Sequence, residues 1–306
     1  MYLIMKRLLI IGCGDVGMRL IALARTRYRV YALTRNAAQC ALLRALGVTP
    51  VIGDLDKPQS LSAIAGIAHD IVHLAPPPSH GATDTRTAHL IAALVNRRKS
   101  KNRQGSLPQH FVYISTSGVY GDCGGAVVAE TRPARPQTAR ARRRMDAERR
   151  LRAWGVRSGV QVSILRVPGI YAADRLPLAR LQRGTPALRD EEDSYVNHVH
   201  ADDLARMVMA ALNYASPGRT YNAVDDLPQK MGVYFDLVAD RHGLNRPPRI
   251  GRSEATRIIP ENLLSFMSES RQLSNQRIKR ELRFRLRYPT VHEGILGPGK
   301  AGVQYL

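Results

Sequence analysis

A chain of 306 residues can bury a full core and hold one large or two modest domains. With 44% hydrophobic residues and no apolar run near the ~18 residues of a bilayer span, its composition is that of a globular protein. The formal net charge is +21, and of 46 basic residues all but seven are arginine. Ten arginines fall between Arg132 and Arg157 and the rest are spread along the chain, without aromatic interleaving or a helix-turn-helix pattern. That distribution weighs against specific nucleic-acid binding and fits attraction to an anionic small molecule. Cys13, Cys40 and Cys123 are scattered, with no metal-ligand spacing, and point to a reducing, cytoplasmic setting. After Lys6-Arg7 the apolar stretch is only four residues long, short of the ~7–15 of a secretory signal. Met5 offers an alternative start, with Met1–Ile4 as an extension.

Strand-like and helix-like segments alternate through the first half, which predicts a parallel sheet wound with helices. Leu8–Ile11 reads as the first strand and Gly17–Arg25 as its helix. Between them lies Gly12-Cys13-Gly14-Asp15-Val16-Gly17, a G-x-G-x-x-G turn from strand to helix. There Gly12 permits the tight bend, Gly14 lets a pyrophosphate approach the backbone, and Gly17 lets helix pack on strand. The N–H groups at the helix start then face the phosphates. Arg29–Leu33 is the second strand, followed by a helix over Asn36–Leu46. The strand leads into Ala32-Leu33-Thr34-Arg35, where an NAD-preferring protein places an acid for the ribose 2′-hydroxyl. Thr34 and Arg35 instead suit a 2′-phosphate, so NADP(H) is expected over NAD(H).

Thr49–Ile52 is a third strand, and Asp54-Leu55 beyond it fits an adenine edge. Ser60–Ala65 reads as a short helix and Asp70–Ala75 as the fourth strand, stopped by three prolines. Leu74-Ala75-Pro76 is expected to run beneath the middle of the cofactor. Thr83–Arg98 is a long amphipathic helix, Lys99–Gln109 a polar loop, and Phe111–Ser115 the fifth strand. A basic helix covers Thr138–Trp154, and Val160–Arg166 is the sixth strand. Pro168–Pro186 is loop-rich, Ala201–Asn213 a helix, Thr220–Val224 a strand, Gln229–Arg241 helical, and Ile278–Leu282 the last short helix. The expected fold is α/β, a Rossmann-type doubly wound parallel sheet with a small C-terminal substrate-binding region. Residues 1–167 form the dinucleotide domain and 168–306 the smaller region, of which about 198–224 returns to the sheet. The second half reads as too broken to hold a core of its own.

Five motifs in order resemble one family. Ser115-Thr116-Ser117-Gly118-Val119-Tyr120-Gly121 is similar to an S-S-x-x-V-Y-G signature, and Leu165-Arg166 through Tyr171 to L-R-x-x-x-x-Y. Asn197 through Ala205 is similar to N-R-I-H-V-D-D-L-A. Thr220 through Asp226 is similar to a Y-N-V-x-D-D strand end, and Ser274 through Phe284 to S-N-x-R…E-L-G-F. Together they resemble the extended short-chain dehydrogenases/reductases, the NAD-dependent epimerase/dehydratase group, in an atypical branch. The resemblance implies NAD(P) chemistry on a small molecule and a Y-x-x-x-K pair with a helping Ser/Thr. Thr116 matches the Ser/Thr. Registering Met145-Asp146-Ala147-Glu148 on the family's L-x-A-E puts Arg140 at the tyrosine and Arg144 at the lysine, where neither can relay a proton.

The resemblance leaves Thr116 and Tyr120 as catalytic candidates. Gly12, Gly14, Asp15, Val16, Gly17, Thr34, Arg35, Asp54, Leu55, Leu74, Ala75, Pro76, Arg144, Pro168 and Ile170 are the cofactor candidates. Arg140, Ser117, Tyr171 and His198 are the substrate candidates, and Asp202 is read as a helix cap or a catalyst. No metal site is expected. The leading function is an oxidoreductase or epimerase-like reaction on a small anionic substrate; the alternative is a silent NADP(H)-binding sensor or partner-binding protein. A homodimer is compatible with either, and no membrane partner is expected.

Overall fold

Leu8, Leu9, Ile10 and Ile11 are all buried, so their strand is covered on both faces, as in a parallel sheet wrapped by helices. A computed structural model describes residues 5–96 and 106–296 and begins with that strand, β1 (Lys6–Ile11). Then come α1 (Asp15–Ala24), β2 (Tyr28–Thr34), α2 (Gln39–Ala45), β3 (Thr49–Ile52), β4 (Asp70–His73), α3 (Thr85–Val95) and β5 (His110–Thr116). The short β6 (Val127–Val128) precedes the long α4 (Ala139–Ser158) and β7 (Gln161–Val167). Beyond them lie β8 (Gly169–Tyr171), α5 (Leu178–Gln182), β9 (Ala187–Leu188), β10 (Tyr195–Val196), β11 (His198–His200), α6 (Ala201–Tyr214) and β12 (Thr220–Asn222). The C-terminal part holds β13 (Gln229–Lys230), α7 (Met231–Arg241), β14 (Arg249–Ile250), α8 (Arg252–Ile258) and α9 (Glu261–Met267). β15 (Gln272–Leu273), α10 (Gln276–Glu281) and α11 (Val291–Leu296) complete it.

Seven strands form one sheet in the order β12-β7-β5-β4-β1-β2-β3, and every neighbouring pair is parallel. This is the doubly wound Rossmann-type α/β fold. The winding direction reverses between β1 and β4, the switch point at whose carboxyl side such sheets bind ligands. Alternation along β1 feeds both faces. Leu8 and Ile10 join a core with Leu20 of α1 and Leu204 and Val208 of α6. Leu9 and Ile11 join a core with Leu90 of α3 and Leu151 and Trp154 of α4.

The helix ends follow from local chemistry. Asp84 caps α3 by accepting from Thr87 N, and Thr138 caps α4 by accepting from Ala141 N. Gly159 stops α4 in the left-handed region at φ +73°. α4 is fixed to the sheet by a buried ion pair. Glu148, with no exposed surface, accepts from Arg166 of β7 at 3.1 and 2.8 Å and from the Ser115 hydroxyl of β5 at 2.6 Å. Arg166 also lies over the Tyr120 ring at 4.6 Å.

Several boundaries differ from expectation. Pro58 starts a 3-10 turn at Pro58–Leu61, so the helix expected at Ser60–Ala65 does not form. β4 ends at His73, because Leu74 N and Ala75 N both turn to Ile11 O. The second half does hold an apolar cluster of its own, built from Tyr171, Leu188, Tyr234, Val238, Ala255 and Ile295 among others. Its later helices, α8, α9 and α11, were missed because each is only six or seven residues long, too short to show a periodicity. The last helix is therefore α11 and not α10. The Met1–Ile4 extension, the end of the helix expected to reach Arg98 and most of the Lys99–Gln109 loop lie outside the described residues. Among the described residues no helix is long and apolar enough to cross a membrane.

The buried ion pair yields a stability prediction. Arg166→Met strands the Glu148 carboxylate and should cost about 3–5 kcal/mol in urea denaturation. Adding Glu148→Leu should recover much of that loss, since the stranded charge is the cause.

Candidate functional site

The glycine turn is defined by two close approaches and one open face. Gly12 sits at φ +98°, and a Cβ added there would lie 2.6 Å from Ala75 N. A Cβ on Gly17 would lie 2.5 Å from Gly12 O. A Cβ on Gly14, by contrast, would meet nothing within 4 Å. Gly12 and Gly17 are therefore glycines for packing, while Gly14 leaves open the space in front of the α1 N-terminus. A group the size of a phosphate fits that cradle, facing N–H groups that helices leave unpaired. Gly14 occupies the N-cap position and supplies no side-chain cap.

From this turn a cavity of about 290 Å³ runs along the carboxyl ends of β1 to β4. Its walls include Gly12, Gly14, Thr34, Arg35, Asp54, Leu55, Ala75 and Pro76, so eight of the fifteen cofactor candidates meet in one place. Arg35 is exposed, whereas the Thr34 hydroxyl is turned inward to Gln39 Oε1 at 2.9 Å. Gln39 and Arg86, which the sequence reading missed, also line it. Gln39 Nε2 donates to Cys13 O at 2.9 Å, tying α2 to the glycine turn. Arg86 forks onto Asp56 at 2.8 and 2.6 Å. Its position on an amphipathic helix carried no sequence signal of proximity to residue 35. The Arg86 guanidinium holds the Asp56 carboxyl below its ordinary range, with Arg35 adding to the effect. Arg35 and Arg86 thus both line this end of the cavity.

A second cavity, of about 850 Å³, opens beyond β5 and β7. Thr116, Ser117, Arg140, Pro168, Ile170 and His198 line it together. Thr116 lies at the end of β5 and accepts from Gly118 N at 3.2 Å. Pro168 and Ile170, expected against the cofactor, stand on this larger wall, where β8 pairs in parallel with β11. His198 is 6% exposed, stacks on Tyr234 at 4.2 Å, and is held down to about 4 by burial. It is accordingly a neutral imidazole at pH 7. Sequence reasoning missed the far wall, formed by Arg175, Arg180, Tyr234, Phe235, Glu269 and Arg271. Arg271 pairs with Glu269 at 2.9 Å and donates to Gly121 O at 2.7 Å. Arg180 lies over the Phe235 ring at 4.4 Å. The lining carries four arginines and one acid, Glu269, on a largely apolar surface. Such a wall suits an anion attached to an apolar or ring-shaped body.

Other candidates serve the scaffold. Tyr120 is 1% exposed and donates to Asn222 Oδ1 at 2.8 Å, so it is a packing residue and not a catalytic one. Burial pushes its phenol up from the ordinary value. Tyr171 is likewise buried and donates to Thr290 O at 3.0 Å, away from the substrate wall. Arg144 turns toward β5 and donates to Ile114 O at 2.7 Å and Tyr113 Oη at 3.1 Å, so it and Arg140 diverge despite sharing a helix face. The Asp15 side chain is paired with Arg19 and Arg175, which leaves only its backbone N–H for a phosphate. Val16 packs against the core and Leu74 packs beneath Gly17. Asp202 pairs with Arg19 at 2.6 Å; the cap of α6 is His200, whose Nδ1 accepts from Asp202 N at 3.2 Å.

Comparison with known proteins agrees with this geometry. The NAD(P)H-binding family matches residues 12–215, more than half of the chain, and the protein belongs to that family. A solved structure of a conserved protein of unknown function from Silicibacter pomeroyi is 28% identical, with a TM-score of 0.76 over 95% of this chain and 97% of that one. One assigned as an NAD-dependent epimerase/dehydratase from Methylobacillus flagellatus is 24% identical, with a TM-score of 0.70 over 95% and 96%. The UDP-glucuronic acid 4-epimerase from Bacillus cereus, solved with NAD, is 16% identical, with a TM-score of 0.72 over 94% of each chain. No curated protein matches the chain in sequence. The family match thus shows an NAD(P)H-binding protein, and the solved structures share its fold along nearly the whole chain.

Two outcomes follow. Gly12→Ala must strain the backbone and collide with Ala75, so NADPH binding, read by fluorescence titration, should fall at least tenfold with a lowered melting temperature. His198 takes up a proton near 6.5 when unfolded but only near 4 when folded. Its contribution to stability is therefore full above pH 6.5 and is lost as the pH falls toward 4. His198→Asn should flatten urea-denaturation stability across that window; His73, held down to about 3 by burial, leaves a slope of the same sign in both proteins.

Proposed function

We propose that this member of the NAD(P)H-binding family is an NADP(H)-preferring oxidoreductase or epimerase-like protein acting on a small anionic substrate. The observation that carries the proposal is the pairing of two cavities at the carboxyl ends of one parallel sheet. The first holds the glycine turn with Arg35 and Arg86, and the second is lined by four arginines beside Thr116. In this reading the Gly12–Gly14 backbone and the α1 N-terminus hold the pyrophosphate. Arg35 and Arg86 hold the 2′-phosphate, Asp54 and Leu55 the adenine side, and Ala75 and Pro76 the middle. Bound there, the nicotinamide supplies a hydride donor and acceptor. Pro168 and Ile170 shield its face from water, and Arg140, Arg180 and Arg271 orient the substrate anion. Thr116 offers a hydroxyl, and the neutral His198 ring an uncharged wall, since burial resists its protonation. The cytoplasmic setting inferred from the free cysteines, Cys13, Cys40 and Cys123, fits such an enzyme.

One observation favours a second reading, a sensor that binds the dinucleotide without turnover. Tyr120 is buried on Asn222, and on the register that the resemblance implies Arg140 and Arg144 stand where the family carries its Tyr–Lys pair. Titration of NADPH and NADH against the purified protein tests the shared premise, and binding of neither sinks both readings. Arg35→Asp should weaken NADPH about tenfold or more, the size of a charge-assisted hydrogen bond, and leave NADH nearly unchanged. An unchanged preference removes the 2′-phosphate assignment. Mass spectrometry of co-purifying ligands, followed by turnover assays on them, separates enzyme from sensor: binding without turnover favours the sensor.

A further inference from the structure

Arg175 lines the larger cavity and pairs with Asp15, the residue next to Gly14 of the smaller one. It lies in the turn 172–177 after β8, where its N–H donates to Ala172 O at 2.9 Å, and it forms part of the larger cavity's wall. Its Nη1 reaches Asp15 Oδ2 at 2.8 Å, in the first turn of α1. The other Asp15 oxygen is held by Arg19 Nε at 3.0 Å. Arg19 is itself anchored to Asp202 at 2.6 Å and Asp174 at 3.0 Å. These five side chains set three carboxylates against two guanidiniums, beside the turn that Gly14 leaves open.

A carboxylate in the first turn suits the positive end of the helix dipole while nothing else is bound there. A pyrophosphate at the same N-terminus would compete with that carboxylate for cations and be repelled by it. Arg19 is held by three carboxylates from three elements and has little freedom to move. The Arg175 side chain is 37% exposed and sits on a turn, so it can exchange partners at small cost. We infer that Arg175 is an exchangeable clamp, neutralising Asp15 in the free protein and turning to the dinucleotide pyrophosphate when it binds. Asp15 is then the gate residue that holds the clamp in reserve. Because Arg175 and Pro177 of this turn wall the larger cavity, the exchange links dinucleotide binding to the shape of that cavity. The inference rests on the cofactor reading above.

The test is titration of NADPH and of NADH, without substrate, into wild type and three variants. Arg175→Gln should weaken both dinucleotides about tenfold, the worth of one charge-assisted hydrogen bond. Asp15→Asn should tighten both severalfold, since it frees Arg175 and removes a like charge. Arg175→Lys keeps the charge and should restore much of the affinity, with unligated melting temperatures serving to check the fold. If Asp15→Asn weakens binding as Arg175→Gln does, the pair is scaffold and the clamp is overturned. If Arg175→Gln leaves both affinities unchanged, the anion it serves is the substrate's and the inference falls. Failure of wild type to bind either dinucleotide defeats the cofactor reading instead, a result distinct from both.

Discussion

The backbone of Gly12 lies against that of Ala75 so closely that a side chain has no place between them, and much of the site depends on that contact. β1 and β4 are neighbours in the sheet, and the switch in winding direction forces the chain to leave them on opposite faces. The Gly12 bend turns β1 into α1, while Leu74 N and Ala75 N fold onto Ile11 O to end β4. Gly17 then seats α1 directly on the Gly12 carbonyl. Removing side chains at these two points brings a helix N-terminus to the mouth of the sheet. The open face of Gly14 is what remains for a ligand.

Buried polar residues hold the rest of the site to this core. Glu148 joins α4 to β5 and β7 through Ser115 and Arg166, which sets the ends of the strands that carry Thr116 and Pro168. Asn222 at the end of β12 accepts from Tyr120 and donates to Val128 O and Ser274 O. Asn275 donates to Val224 O and Asp225 O, and Asp203 accepts from Arg287 N and Tyr288 N. Many motif residues shared with the epimerase/dehydratase group are thus clamps between the sheet and the C-terminal region. Their contacts fix the C-terminal region against the sheet.

The arginine excess has a local as well as a global effect. Arg140, Arg175, Arg180 and Arg271 converge on one cavity from α4, the 172–177 turn, α5 and the segment before β15. Arg35, just past the end of β2, and Arg86 of α3 converge on the other. A field of one sign focused in clefts with apolar walls raises the local concentration of anionic ligands and speeds their arrival. Each cluster is partly compensated by an acid: Asp56 forks with Arg86, and Glu269 pairs with Arg271.

The sequence by itself determined the parallel sheet, the glycine turn and eight of the residues that line the smaller cavity, because these depend on local rules. Strand burial writes apolar runs, a tight turn demands glycine, and the end of β2 follows at a set distance. Only the tertiary structure decided which polar side chains face a ligand and which face the protein. Tyr120 and Tyr171 were legible as motif members but not as buried donors to Asn222 and Thr290. Arg271 and Glu269 lie about 130 residues from Arg140, and no periodicity connects them. Short helices such as α8 and α9 take their stability from tertiary packing and leave no period to read. Local backbone demands are written in neighbouring residues; convergence across the fold is written only in space.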